Sequence, residues 1–224
     1  NKICIPSATK VCCNFPETEK SLPADKAVLT GTPIRQELLS GNPEKALAFT
    51  GLSNEKPVIM VIGGSLGAVA VNNAVRAILP ELLKDFQVIH LCGKGKLDSS
   101  LTDTKGYVQY EYIKDELADL FALADIVISR AGAICEISAL KKPNLLIPLS
   151  ARASRGDQIL NARSFEKLGY SMVLEEEEIT NEKLLESIQT LYQNRDSYIQ
   201  AMEKSKQTDS IEQIVQLFEQ AVNK

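Results

Sequence analysis

An apolar run from Val58 to Ile62 ends in Gly63-Gly64-Ser65-Leu66-Gly67-Ala68, and a helical pattern follows. Glycines at a strand end let the backbone turn tightly and come close to a ligand. The helix that follows aims its first amides, and the positive end of its dipole, at whatever sits there. The chemistry this suits is phosphate binding. The spacing is not that of a P-loop, because no Gly-Lys-Ser/Thr follows, and it is not the G-x-G-x-x-G dinucleotide pattern. A second reading stays open, in which the glycines serve only close packing of helix on sheet.

Two further loops bear on the choice. Ser129-Arg130-Ala131-Gly132-Ala133-Ile134-Cys135-Glu136 repeats the order strand, glycine, helix. A carboxylate in the first turns of a helix can accept two hydrogen bonds from a ribose diol. It can equally be there to complement the helix dipole. The segment Arg152 to Ala162 opens another helix with Asp157-Gln158. Asp157 can be a helix N-cap, or with Gln158 it can offer the acceptors and donors that sugar hydroxyls need. Taken alone, the cap is the stronger reading.

Other polar residues read as structural. His90 lies mid-strand in Gln87-Val-Ile-His-Leu-Cys92 and is expected to be a satisfied core residue rather than a base. Glu175 to Glu178 reads as a solvated loop ahead of a helix. The five cysteines (Cys4, Cys12, Cys13, Cys92, Cys135) are odd in number and form no C-x-x-C. They read as small buried hydrophobes in a reducing compartment. With one His, no Cys/His spacing and no Asp-x-Asp, neither a metal nor a cofactor is expected.

The elements that must hold these loops alternate in type. Strands are expected at Lys10–Phe15, Ala27–Gly31, Val58–Ile62, Gln87–Cys92, Tyr107–Ile113, Ile126–Ser129, Asn144–Leu149 and Ser171–Leu174. Helices are expected over Leu66–Lys84 with a bend near Pro80, Asp115–Leu123, Ile134–Lys141 and Asp157–Leu168. Two or three amphipathic helices fill 181–222, and Thr32-Pro33 marks a turn with a polar segment to about Asn54. Strands without alternation are buried on both faces, so the fold expected is a doubly wound parallel α/β sheet of Rossmann-like type. Ligands bind such sheets outside the carboxyl ends of the strands, where all three loops fall. Net charge is −4 and Trp is absent, which argues against nucleic acid as a partner. No apolar run approaches the ~20 residues of a membrane helix.

In order and spacing these pieces resemble the donor-binding half of the MurG family of bacterial lipid I N-acetylglucosaminyltransferases, in its Firmicute form. The matching residues are Leu29-Thr-Gly-Thr-Pro-Ile-Arg35, Gly63 to Ala68, Tyr112-Ile113, Ser129-Arg-Ala-Gly132 with Glu136, and Ile147-Pro-Leu-Ser150 through Arg155-Gly-Asp-Gln158 to Asn161-Ala162. They cover about Lys10 to Leu174. In one respect the chain departs from the family pattern: Ala133-Ile134-Cys135 is two residues shorter than the usual link between the glycine and its Glu.

The resemblance implies the C-terminal domain of a GT-B glycosyltransferase, an inverting hexosyltransferase of peptidoglycan and cell-wall synthesis. Its donor is UDP-N-acetylglucosamine, and its lipid I acceptor lies against an N-terminal domain. By the same likeness Gly64, Ser65, Leu66 and Gly67 hold the diphosphate with Arg35 adding charge. The backbone of Ile113 reads the uracil, Ala133 and Ile134 line the site, and Glu136 takes the ribose. Asp157 and Gln158 take the sugar, and Arg130 supports its loop. Residues 1–31 are expected to be the tail of an N-terminal acceptor domain, 32–208 the UDP-sugar domain, and 209–224 a helix returning to the first domain. No catalytic residue is expected within this chain, which alone should transfer nothing, and membrane contact at the inner face is not expected through it. Alternatives are another GT-B relative, such as a glycolipid glucosyltransferase, a sugar-nucleotide epimerase, or a non-catalytic nucleotide-sugar-binding subunit.

Overall fold

The computed structural model describes residues 3–64, 68–151, 156–205 and 210–222. They form two compact units, Asn1–Arg35 with Ser205–Lys224, and Gln36–Lys204.

In the first unit two short strands, β1 (Val11–Cys13) and β2 (Ala27–Leu29), pair in parallel around the single turn of α1 (Pro16–Glu19). Only two of the chain's five cysteines, Cys13 here and Cys92 in the second unit, are buried; Cys4 and Cys12 are exposed and Cys135 is half-buried. This corrects the expectation of buried cysteines. Strand residues alternate in direction, so Cys13 turns inward and its neighbour Cys12 turns out.

The second unit opens, within the segment expected only to be polar, with a 3-10 turn at Gln36–Ser40 and then α2 (Pro43–Thr50). Asn42 caps α2 by accepting from the amides of Glu44 and Lys45, Pro43 fits its first turn, and Gly51 ends it in the left-handed region at φ 69°. Next come β3 (Val58–Ile62), α3 (Val69–Ala77), α4 (Leu79–Asp85), β4 (Gln87–Leu91), β5 (Tyr107–Tyr110) and α5 (Leu117–Leu123). The expected bent helix is two helices. Pro80 cannot donate within a helix interior, so the chain breaks at Ile78 and Pro80 lies in the first turn of α4.

Then follow β6 (Ile126–Ser129), α6 (Ile134–Ala139), β7 (Asn144–Leu146), α7 (Asp157–Lys167), β8 (Met172–Val173), α8 (Asn181–Gln193) and α9 (Arg195–Glu203). A last helix, α10 (Ser210–Val222), belongs to the first unit.

Strands β3 to β8 make one sheet in the order β5-β4-β3-β6-β7-β8, parallel throughout. Both faces are covered, as the unbroken apolar run of β3 requires. Ile59 and Val61 pack with α3, α4 and α8, while Val58 and Met60 pack with α2, α5 and α6 on the other side. The chain winds outward from β3 through β4 to β5, then returns to place β6 on the other side of β3. That reversal is the topological switch point, where two neighbouring loops leave in opposite directions and open a crevice.

Candidate active site

The two glycine turns meet at the switch point. Ile62, the last residue of β3, is in register with Ser129, the last of β6. The Ser129 hydroxyl donates to the Ile62 carbonyl at 3.0 Å, which locks the two strand ends just below the point where Gly63 and Arg130 leave the sheet. A Cβ at Gly63 would stand 2.6 Å from the Ala68 amide nitrogen, so this turn folds back on itself too closely for any side chain. Gly64 sits at φ 83° with open space around it. Ser65, Leu66 and Gly67 lie outside the described residues. Helix α3 begins after Ala68 with no side-chain cap. The first amides of a helix have no partner within it, Ala68 offers them no side chain, and the helix dipole favours an anion there.

On the β6 side Ala133 is half-buried and Glu136 lies in the first turn of α6. The side chain of Ile134 is only 2% exposed and packs inward like Ile137 one turn on, so only its backbone can face the crevice. At the end of β5, Ile113 is buried among the α5 contacts, while Tyr112 beside it is exposed.

The β7 loop ends in Gly156 at φ 83°, and Gly156, not Asp157, is the N-cap of α7. That removes the capping explanation for Asp157, which is exposed as the first helical residue. The side-chain oxygen of Gln158 accepts from the Leu149 amide at 3.0 Å, tying the start of α7 to the loop it follows. Residues 152–155 lie outside the described residues. Arg35 is exposed and belongs to the first unit.

Two arginines hold these loops in place: Arg130, expected to support its loop, and Arg163, which the sequence left aside. Arg130 is 11% exposed; it donates to the carbonyls of Ile147 and Pro148, each at 3.1 Å, and pairs with Glu176. One guanidinium thus joins the chain just past β6, β7 and β8. Arg163 of α7 pairs with Glu175 at 2.5 Å and Glu166 at 2.7 Å, and these carboxylates raise its pKa further. The expected solvated acidic run therefore supplies three ion pairs, Glu175 with Arg163, Glu176 with Arg130 and Glu178 with Lys183, of which the Arg130–Glu176 pair is largely buried. A basic partner at a distant position was the only signal available, and sequence spacing does not reveal it.

His90 is fully buried, with both ring nitrogens hydrogen-bonded, Nδ1 to the Tyr107 hydroxyl at 2.9 Å and Nε2 to Asn72 at 3.0 Å. Burial, with the Arg76 charge adding to it, lowers its pKa to about 3. A neutral, occupied imidazole inside the core has no route to a substrate proton.

The family pattern of the glycosyltransferase family 28 C-terminal domain matches residues 58–217. The chain belongs to that family. Among curated relatives of this family 28 domain is the UDP-N-acetylglucosamine--N-acetylmuramyl-(pentapeptide) pyrophosphoryl-undecaprenol N-acetylglucosamine transferase of Lachnospira eligens. It is 64% identical over 219 residues, which are 97% of this chain and 62% of the relative. The protein of the same name from Lachnoclostridium phytofermentans is 62% identical over 222 residues, 98% of this chain and again 62% of the relative. The family 28 domain described here thus spans less than two thirds of those relatives. Among solved structures, Acinetobacter baumannii MurG superposes with a TM-score of 0.70 at 21% identity, covering 95% of this chain and 60% of that one. The kitacinnamycin glycosyltransferase does so at 0.69 and 15% identity, covering 88% and 50%. At such identities the likeness is one of fold, and it agrees with the doubly wound sheet read from the sequence.

Proposed function

We propose that this chain is the donor-binding part of a transferase that moves N-acetylglucosamine from UDP-N-acetylglucosamine to the lipid I acceptor, forming lipid II for peptidoglycan. The observation that carries the reading is the abutment of two glycine turns across the β3–β6 crevice, with the uncapped start of α3 on one side and Glu136 on the other. The relatives above 60% identity carry the name of that transferase.

In this reading Gly64, Ser65, Leu66, Gly67 and Arg35 receive the diphosphate, and the Ile113 backbone meets the uracil. Ala133 and the Ile134 backbone line the site, Glu136 accepts from both ribose hydroxyls, and Asp157 and Gln158 meet the sugar. Amides and charge aimed at the diphosphate stabilise the leaving group as the glycosidic bond breaks. The base and the acceptor pocket are assigned to the part of the protein outside this chain. The acceptor is lipid-linked, so the work would be done at the inner membrane face. No helix among the described residues is long and apolar enough to cross a membrane.

Calorimetric titration tests the reading. UDP-N-acetylglucosamine should bind more tightly than UDP-glucose. Glu136→Ala should weaken UDP by roughly 1.5–3 kcal/mol, the worth of hydrogen bonds to a charged group, with an unchanged melting temperature. A lower melting temperature with unchanged affinity would assign Glu136 to the helix dipole instead.

A further inference from the structure

The buried polar groups between α3 and the sheet form a directed chain. Asn72 donates through Nδ2 to the Cys92 carbonyl at 2.8 Å. A carbonyl only accepts, so the Asn72 side-chain oxygen must be the atom that faces His90 Nε2 at 3.0 Å. Nε2 therefore carries the ring proton. Nδ1 is then bare and accepts from the Tyr107 hydroxyl at 2.9 Å. Tyr107 keeps its proton, since burial pushes its pKa up to about 12. Arg76 donates to the Lys96 carbonyl at 2.7 Å and to Gln109 at 3.2 Å.

Asn72 and Arg76 are four residues apart in α3, so they share a face, and each hydrogen-bonds away from the helix: Asn72 to His90 and the Cys92 carbonyl, Arg76 to the Lys96 carbonyl and Gln109. Val71 and Val75 give the helix its apolar contact with the core, but apolar contact alone does not fix how far a helix slides along a sheet. Hydrogen bonds at two turns do.

The link continues to the glycine turn. The backbone amide of Asn72 donates to the Ala68 carbonyl at 2.8 Å, and Ala68 is the residue that closes against Gly63. We infer that Tyr107, His90 and Asn72 are positioning residues for phosphate binding: they set the register of α3 and, through it, where Ala68 closes against Gly63. This rests on the donor-site reading above. It predicts that the chain governs the phosphate end of the ligand and leaves the nucleoside end alone.

The experiment compares UDP with uridine on the same protein, by calorimetry for UDP and ligand-observed NMR for uridine. Tyr107→Phe removes one hydroxyl and keeps the ring. UDP affinity should fall about tenfold while uridine affinity stays within twofold of the parent. Asn72→Ser, which shortens the side chain at the other end, should do the same. His90→Gln, which keeps a donor and an acceptor, should recover part of the UDP affinity lost in His90→Leu. Equal losses for both ligands, or none for UDP in a variant that folds, would overturn the inference. Failure of the unaltered protein to bind UDP would overturn the donor-site reading itself.

Discussion

His90 shows how a single side chain separates structure from catalysis. Its pKa is lowered from 6.5 to about 3 by burial, with Arg76 contributing. Between those values the unfolded chain holds a proton on this ring that the native protein does not. The native state is therefore progressively disfavoured as pH falls through that window, and above it the contribution is flat. The slope from this group is at most about 1.4 kcal/mol per pH unit. Urea unfolding at pH 7.5, 6 and 5 should show stability falling toward acid more steeply in the parent than in His90→Gln. Parallel slopes would mean that the ring takes up its proton alike in the native and unfolded states. The reading of His90 as core followed from its place inside an apolar strand. The role of Glu176 had no such local sign, since its partner Arg130 is distant in sequence and the two meet only because β6 and β8 end at the same edge of the sheet. Gln158 was legible as polar and near a helix start, but its bond to Leu149 depends on how the loop closes.

The elements carry the tie between loops. Arg130 and Glu176 form a largely buried pair, and removing one partner of such a pair leaves the other charge uncompensated. Glu176→Ala should therefore destabilise by about 3–5 kcal/mol. Arg130→Met with Glu176→Leu should cost less than the sum of the two singles, because no lone charge remains. Denaturant midpoints of the two singles and the double decide this, and strict additivity would show that the residues do not act together.

Element by element, the central strands were readable because a strand buried on both faces is apolar without a break, as Val58–Ile62 and Ile126–Ser129 are. Helix α2 was not, because its only buried residues are Ala46 and Thr50, too few and too polar to give a helical period. Its cap signals, Asn42-Pro43 and Gly51, were the available evidence. Helix α6 is only six residues long, and Glu136 falls in its first turn.

Across the whole molecule, two units divide the work the sequence carries. The sheet and all its carboxyl-end loops lie in 36–204, and the family pattern spans 58–217. The central claim is that a UDP-sugar sits in the crevice between the ends of β3 and β6. A crystal structure of this chain with UDP tests it most directly. The account predicts the diphosphate against Gly64 and the first turn of α3, and the ribose hydroxyls on Glu136. A nucleotide bound elsewhere would contradict it, for instance in the first unit's cavity of about 480 Å³ lined by Lys10, Cys12 and Phe15.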